Sequence, residues 1–454
     1  MKLEEKLVNF VHESRFEDMP DAQILLMKQV LINALGAIIA GAETPGCTEA
    51  VAQAREWGGK DEATILVYGD RVSAGNAAFA NAFIARALVL DEAMVGGLHV
   101  GGSAVPAALA TAELVGGCNG RDLLTALAVG FELACRMHLA TVYNGFDATG
   151  VCVVFGATAV AGRLLSLTKD QLWNALGHAL NRAGGSWQGT IDGSIAARVL
   201  QGTAAQGGIA NAQLAKRGIT GPVNFLEGIY GYFHLFAGDK YDPEMVGGEL
   251  GTRFDLSKIF LKKYPSCGTT NASIDAILSL MEEEGVTPDN VAEINVRVTP
   301  FTFNLTGKPF SYGDNPRVSA MYSIQYCVAN TLVRKKCRLR HFDETWVKAP
   351  ELIELINKIH VFANPAWDET KQLVSDMEVR LTDGTVLRRY VEFPRGTAEN
   401  PLTSDDLLEK FMDCLSYGGN KLSPANSDKL IALVNRLEDL EDIRDLITFL
   451  TDQN

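Results

Sequence analysis

The character of this sequence changes at one stretch, residues 262–275, which read KKYPSCGTTNASID. Upstream the chain is rich in Ala, Gly and Leu at helical spacing, whereas downstream apolar and polar residues begin to alternate as in β-strands. The stretch itself holds two lysines and a Tyr-Pro pair. Because clefts between domains often bind ligands, these lysines could hold an anionic small molecule, or they could be solvated charges in a hinge.

Small residues dominate four segments upstream of this stretch: 73–90, 104–114, 155–165 and 202–214. Ala and Gly allow helix backbones to approach each other closely, so we expect these segments at the centre of a large helical domain. A dinucleotide-binding loop is disfavoured, because no Gly-x-Gly-x-x-Gly motif follows a predicted strand.

Alternating patterns downstream predict a compact α+β domain. Three regions read as strands or hairpins: Glu293–Val298, Lys358–Phe362 and Asp376–Phe393. The last of them contains Asp383-Gly384, a typical two-residue hairpin turn. Helices are predicted beside the strands over residues 270–284 and 316–332.

The chain is longer than one hydrophobic core usually organises, which favours two domains. Helical spacing returns over residues 402–415 and again over 427–450, while residues 61–68 form one strand-like piece upstream. The predicted fold class is therefore mainly α, with a large all-helical domain and an inserted, smaller α+β lid domain. We assign residues 1–265 plus 400–454 to the helical domain and residues 266–399 to the lid domain.

Composition limits the class of partner and compartment. A net charge of −14 argues against nucleic acid, which requires a basic face. The N-terminal residues carry early acids and no long apolar core, and the uncharged run Ala93–Ala112 is broken by Gly, His99 and Pro106, so neither a signal peptide nor a membrane partner is predicted. The eight cysteines show no Cys-x-x-Cys or zinc-type spacing, which favours reduced thiols in a cytoplasmic protein.

Several motifs, in order along the chain, resemble those of one known family. They are Asp91-Glu92 with LHVG (98–101) and VPAAL (105–109), FGATAVAGRLL (155–165), GTAAQ (202–206), RGITGP with LEG (217–228), KKYPSC (262–267), SAMYSIQY (319–326) and FPRGTAENPL (393–402). Together they are similar to the MmgE/PrpD family, the 2-methylcitrate dehydratase group. This family also contains cis-aconitate decarboxylase and iminodisuccinate epimerase.

The resemblance implies a helical domain with a smaller α+β lid, a homodimer, and chemistry on a small carboxylic-acid substrate without a metal or organic cofactor. Such chemistry needs cations for carboxylates, and Lys262 and Lys263 suit that role. Lys262 matches the family's functional lysine, whereas Lys263 has no such match. His99 is the candidate acid/base, or a buried histidine bonded to backbone, and Asp91 would orient it or cap a helix.

Tyr326 matches a family tyrosine placed to hydrogen-bond the substrate, and we include it among the catalytic candidates. Ser323 lies three residues before it, which would place both on one face of a helix. The alternative for both is a lid helix packed on its sheet. Ser266 and Cys267 complete the predicted substrate-binding loop, although nothing marks Cys267 as a nucleophile.

This chain also departs from the family pattern. Asp147 stands where members commonly carry His, and Asn271 where many carry another His. Ala197 and Leu200 replace a Lys and a His, and Thr203 replaces an Arg. Fewer cationic groups favour a substrate with fewer carboxylates than methylcitrate, or one with an amine that Asp147 could bind.

These residues predict a lyase, either a dehydratase or a decarboxylase, that abstracts a proton next to a carboxylate. An epimerase or isomerase of the same family begins with the same proton abstraction and stays open. A non-catalytic protein that binds a carboxylate or serves as a dimeric scaffold is the third alternative.

Overall fold

The computed structural model describes residues 1–368, 371–419 and 422–451. The chain is mainly α, as predicted, and divides into two compact units. The first comprises Met1–Ala87, Asp91–Ile259 and Gly418–Asn454, and the second comprises Leu88–Leu90 and Phe260–Tyr417. The domain bounds inferred from the sequence, residues 1–265 plus 400–454 and residues 266–399, remain a prediction.

The first unit is built of helices, with one short two-stranded ladder. Its helices up to residue 247 are α1 (Leu3–Glu13), α2 (Asp21–Gly41), α3 (Cys47–Trp57), α4 (Ala74–Ala85), α5 (Gly101–Leu114), α6 (Gly120–Leu139), α7 (Ala148–Leu164), α8 (Lys169–Leu180), α9 (Gln188–Ile191), α10 (Ala196–Lys216), α11 (Tyr232–Ala237) and α12 (Pro243–Gly247). Nearly every residue of α7 is buried, so this helix lies at the centre of the unit.

The small residues allow the central helices to touch backbone to backbone. Where α6 meets α7, a Cβ atom on Gly130 would lie 2.7 Å from the carbonyl oxygen of Gly156, and the reverse substitution gives the same distance. Where α10 meets α7, a Cβ on Gly208 would lie 2.6 Å from the backbone of Ala157. The Ala- and Gly-rich segments therefore set the helix separation, as predicted.

The strand predicted over residues 61–68 is wrong in extent. Only Ala63–Thr64 (β1) forms a ladder, antiparallel to Arg71–Val72 (β2). The following backbone groups bond elsewhere, since the N–H of Leu66 donates to the side chain of Asn81 and Val67 adopts a φ of +72°. The run therefore becomes a turn.

Helix α2 is long and apolar enough to cross a bilayer by length and composition alone. In its most apolar window, however, 72% of the residues are buried inside the protein. A core helix of a globular protein has the same composition, so the burial accounts for its apolar sequence without a membrane.

The second unit combines helices with a four-stranded sheet. Its helices are α13 (Asn271–Glu284), α14 (Pro300–Thr302), α15 (Pro316–Met321), α16 (Ile324–Arg334), α17 (Glu344–Val347), α18 (Pro350–Asn357) and α19 (Ser404–Tyr417). Its strands are β3 (Val291–Val298), β4 (Ile359–Ala363), β5 (Ser375–Leu381) and β6 (Val386–Val391). The order is β4-β3-β5-β6, with β3 parallel to β4 and the other neighbours antiparallel.

The strand predictions downstream of residue 275 are confirmed. Strands β5 and β6 form the hairpin, and Gly384 in its turn has a φ of +90°, which glycine adopts without strain. Helix α13 packs against both of these strands. The single helix predicted over residues 316–332 is wrong, because Tyr322 and Ser323 interrupt it and α16 begins anew after Ser323.

Two helices close the chain in the first unit: α20 (Pro424–Asn435) and α21 (Arg444–Thr451). The one continuous helix predicted over residues 427–450 is therefore wrong. After a short 3-10 turn at Leu437–Asp439, the carbonyl of Leu440 accepts from Gly120 and the N–H of Ile443 donates to Cys118. These two bonds draw residues 440–443 out of the helical ladder.

Candidate active site

In the first unit His99 lies in the segment between α4 and α5 and is held through one ring nitrogen. Its Nδ1 lies 2.7 Å from the carbonyl oxygen of Glu92 and 3.2 Å from Oδ2 of Asp91. Carbonyl and carboxylate oxygens only accept, so in the neutral imidazole Nδ1 carries the proton and Nε2 carries the lone pair. The ring is 11% exposed, and both expected features, a backbone bond and a carboxylate partner, are present together.

Arg86, which directly follows α4, fixes the other side of Asp91. Its guanidinium lies 2.9 Å from Oδ1 of Asp91, whose side chain is only 2% exposed. A buried carboxylate needs such a cation, because burial otherwise favours its neutral form. Asp91 thus bridges Arg86 and His99.

The backbone around His99 is fixed at two further points. Oε1 of Glu92 accepts the N–H of Gly101 at the start of α5 at 2.5 Å, and Nε2 of Gln201 in α10 donates to the carbonyl of His99 at 3.0 Å. A Cβ atom on Gly101 would lie 2.5 Å from Oε2 of Glu92, so this carboxylate occupies the space of a side chain. These contacts fix the backbone at His99 and at the start of α5.

Asp147 is the N-cap of α7 and is buried. Its carboxylate accepts the N–H of Thr149 at 2.8 Å, which is the ordinary function of an aspartate at this position. Burial raises the pKa of Asp147, opposed by the hydrogen bond from Thr149 and by the positive charge of Arg86. The predicted contact with a substrate amine stays a prediction.

The positions that depart from the family pattern in α10 surround an arginine with a structural role. Between Ala197 and Leu200, the buried Arg198 donates to the carbonyls of Pro45 at 2.6 Å and Ala87 at 3.2 Å. It therefore ties α10 to the turn that precedes α3 and to the end of the α4 segment.

In the second unit Lys262 is fully buried, and its Nζ donates to the carbonyl of Val89 at 2.6 Å. Lys410 of α19 accompanies it, donating to the carbonyl of Leu90 at 3.1 Å and to that of Lys262 at 2.5 Å. Lys262 is thus held in one position by the backbone of residues 88–90.

Lys263 differs from its neighbour because it is paired with the carboxylate of Asp406. Burial raises the pKa of Asp406, but the hydrogen bond from Lys263 and that from the Thr403 N–H outweigh it and lower the value. Both side chains line a cavity of about 1020 Å³ whose wall carries lysines, arginines and carboxylates together. The charge of Lys263 is thus balanced within the unit.

The rest of the predicted loop bonds internally. The hydroxyl of Ser266 lies 2.7 Å from that of Thr270, and Sγ of Cys267 lies 3.3 Å from the hydroxyl of Thr269. Asn271 donates from Nδ2 to the carbonyl of Cys267 at 3.2 Å. The loop is therefore a fixed turn, and substrate binding by Ser266 and Cys267 stays a prediction.

Ser323 and Tyr326 do not share a helix face. Ser323 is the N-cap of α16, and its hydroxyl accepts the N–H of Tyr326 at 3.1 Å. The hydroxyl of Tyr326 is buried and donates to the carbonyl of His341. Burial raises the pKa of Tyr326. A substrate contact by either hydroxyl stays a prediction, and it would compete with these bonds.

Sequence reasoning missed three residues that hold the candidate groups: Arg86, Gln201 and Lys410. Arg86 did carry a signal, since it is the one charge in the apolar run AFIARAL, and buried charges require partners. Gln201 lies 102 positions from His99, and Lys410 lies 148 positions from Lys262. No local pattern could have connected those pairs.

The sequence of the chain matches a known protein family. Residues 5–244 match the MmgE/PrpD N-terminal domain, and residues 264–439 match the MmgE/PrpD C-terminal domain. A cis-aconitate decarboxylase from Aspergillus terreus is 25% identical over 465 aligned residues, covering 95% of this chain and 93% of that protein. A cis-aconitate decarboxylase-like protein, oryM, from Aspergillus oryzae is 24% identical, covering 98% and 96%. The chain belongs to the MmgE/PrpD family.

Proposed function

We propose that this protein is a lyase that acts on a small di- or tricarboxylic acid by transferring a proton at the carbon next to a carboxylate. The observation that carries the proposal is the position of the His99 ring, whose Nδ1 faces the carbonyl of Glu92 and the carboxylate of Asp91. An imidazole oriented by a carboxylate is a standard general acid/base. Relatives named cis-aconitate decarboxylase support the lyase class.

The two lyase reactions use His99 in opposite directions of proton transfer. In a dehydration, Nε2 of His99 takes the proton from carbon, the C–H electron pair becomes the double bond, and the hydroxyl group leaves as water after gaining a proton. In a decarboxylation, carbon dioxide leaves, its C–C electron pair stays on the substrate, and His99, first protonated by solvent, donates that proton to the carbon. Asp91 stabilises the imidazolium in both reactions, with Arg86 keeping it ionised.

Lys262 is the proposed partner of a substrate carboxylate. It matches the family's functional lysine, and its bond to the Val89 carbonyl orients the ammonium. An ammonium is a compact point charge that binds a carboxylate without demanding a planar geometry. Lys263 is the weaker candidate, since Asp406 already balances it.

The substrate we propose carries fewer carboxylates than 2-methylcitrate. Asp147, Ala197, Leu200 and Asn271 replace titratable or cationic residues of the family pattern. Moreover, Asp147 and Asp91 add negative charge around the one guanidinium of Arg86. A third carboxylate on the substrate would have to overcome that field.

The test is a panel of di- and tricarboxylic acids, including 2-methylcitrate and cis-aconitate, assayed with wild type, His99→Gln and the matched surface control His234→Gln. We expect turnover of a dicarboxylate that His99→Gln abolishes and His234→Gln leaves intact. Efficient turnover of 2-methylcitrate or cis-aconitate would contradict the proposed substrate class but would not contradict the proposed lyase reaction. Turnover unaffected by His99→Gln would contradict the mechanism.

Reaction in deuterated water separates the lyase from an epimerase. A lyase yields an alkene or a product that has lost carbon dioxide, whereas an epimerase exchanges the substrate proton with no loss of mass. Failure of every acid in the panel to react, combined with binding to wild type, would favour a carboxylate-binding protein without catalysis.

We also propose that the protein is a homodimer formed through the first unit. Large apolar side chains there are exposed in the stretch 219–235, where Ile229 is 79% and Tyr230 is 72% exposed. Such residues are enriched in protein interfaces. Light scattering should give a dimer for wild type and a monomer for Ile229→Asp. A monomeric wild type would contradict the proposal.

A further inference from the structure

A turn of residues 93–98 lies directly before His99, and a second histidine contacts it. The turn is closed by a bridge between Met94 and Leu98, and Gly96 and Gly97 within it both adopt positive φ. The ring of His138, from α6, approaches so closely that a Cβ atom on Gly96 would lie 2.8 Å from its Cε1. Nε2 of His138 lies 2.8 Å from the carbonyl oxygen of Val95.

Behind His138 runs a buried chain of hydroxyl and thiol groups. Its Nδ1 lies 3.3 Å from the hydroxyl of Tyr143, and the two rings stack with centroids 5.6 Å apart. Sγ of Cys152 in α7 lies 2.9 Å from the hydroxyl of Tyr143 and 2.9 Å from that of Tyr232 in α11. The chain therefore joins three helices of the first unit to the turn before His99.

The acceptor at the end of this chain fixes the direction of every bond in it. The carbonyl of Val95 can only accept, so Nε2 of His138 carries the proton and Nδ1 must accept from Tyr143. The Tyr143 oxygen can then accept from the Cys152 thiol, which in turn accepts from Tyr232. This order requires neutral groups throughout.

The burial of these groups agrees with that order. Burial lowers the pKa of His138, opposed by its bond to Val95. Burial also raises the pKa of Cys152 to about 12, opposed by its bonds to the two tyrosines. Burial raises the pKa of Tyr143 and of Tyr232 well above the usual value.

We propose that His138 is a positioning residue for His99: it clamps the 93–98 turn through Val95, and Tyr143, Cys152 and Tyr232 hold its ring in the one tautomer that can do so. The consequence for catalysis rests on the function proposed above. Whether His138 holds the 93–98 turn does not depend on that function. Partners that orient a histidine are a common means of fixing catalytic geometry.

The test compares His138→Gln, whose amide can still donate to Val95, with His138→Met, which cannot. Hydrogen–deuterium exchange of free protein should show the Met94 and Gly97 amides exchanging at least tenfold faster in His138→Met. His138→Gln should stay within about threefold of wild type. Tyr143→Phe, which removes only a hydroxyl, carries the same test if His138→Met does not fold, with an expected severalfold increase. Unchanged exchange in the turn of the folded variant would overturn the proposal.

A kinetic comparison uses the fastest substrate of the panel. We expect His138→Met to lower kcat about tenfold or more with KM within twofold, and His138→Gln to restore most of it. Equal kcat in all three proteins would overturn the link to His99. If wild type turns over no acid, the exchange result still decides whether His138 holds the turn, so the two proposals fail separately.

Discussion

The His99 segment of the first unit and the Lys262 loop of the second are both charged and buried, but their charges are held differently. At His99, side chain is paired with side chain, from Arg86 through Asp91 to the imidazole. At Lys262, the ammonium bonds to a backbone carbonyl. The first arrangement controls where a proton resides, whereas the second fixes the position of a positive charge. In the proposed mechanism the first region transfers the proton and the second binds the carboxylate.

The largest expected effect comes from removing the proton-transfer group. His99→Gln should lower kcat by roughly 10²–10⁴-fold, the usual contribution of a general acid or base. KM should change little, because the substrate's carboxylate is held elsewhere. Steady-state kinetics on the panel substrate measure both, with His234→Gln as control. A decrease below about fivefold would contradict the assignment.

His341 contrasts with His99, because it is a buried histidine whose charged neighbours are arginines, whereas His99 lies next to a carboxylate. Burial and the charge of Arg334 lower its pKa to about 4, and its Nδ1 accepts the N–H of Arg338 at 3.3 Å. The unfolded chain, with a histidine pKa near ~6.5, therefore binds more protons between these values. The contribution of His341 to the free energy of unfolding is therefore fully present above pH ~6.5. It falls by roughly 3 kcal/mol as the pH is lowered to about 4.

Urea unfolding of wild type and His341→Gln across that pH range measures this loss. The variant should show a smaller decline in the free energy of unfolding on acidification than wild type does. His360→Gln, at an exposed position, is the control and should follow wild type. Equal declines in all three proteins would show that His341 is not kept neutral by its surroundings.

The two lysines provide the next comparison. Lys262→Met should raise KM by roughly 10–100-fold, the value of a hydrogen bond to a charged group. Lys263→Met should change it by less than about fivefold, because Asp406 already neutralises that charge. Circular dichroism must first show both variants folded, since Lys262 is buried. Equal KM values for the two variants would remove the distinction between them.

The smallest effect concerns Asp147. Asp147→Asn keeps an N-cap acceptor for α7 and should change the free energy of unfolding by only a few tenths of a kcal/mol, whereas Asp147→Ala should cost about 1 kcal/mol. If Asp147 only caps α7, KM for the substrate should be the same in Asp147→Asn and wild type. A large rise in KM would instead support the predicted contact with a substrate amine.

Local patterns sufficed for much of the fold but not for the connections between its parts. The β5–β6 hairpin was predictable because its turn and alternation lie within one short segment. The break at Ser323 was not, since the run 316–332 has helical spacing on both sides of the cap. Residues 427–450 likewise have the spacing of one helix. The break between α20 and α21 could not be predicted, because Leu440 and Ile443 bond to residues more than 300 positions earlier in the chain.

The candidate site divides in the same way. His99, Asp91 and Lys262 were identified by residue type and by resemblance. Their partners come from distant segments, so composition and spacing could not reveal them. Gln201 reaches the carbonyl of His99 only because α10 and the His99 segment are brought together by the fold.

In the proposed mechanism His99 moves the proton while Lys262 holds the carboxylate. The most direct measurement is deuterium incorporation at the carbon next to the carboxylate, followed in deuterated water at saturating panel substrate for wild type, His99→Gln and Lys262→Met. We expect incorporation in wild type and in Lys262→Met, and its loss in His99→Gln. Incorporation at the wild-type rate in His99→Gln would contradict it.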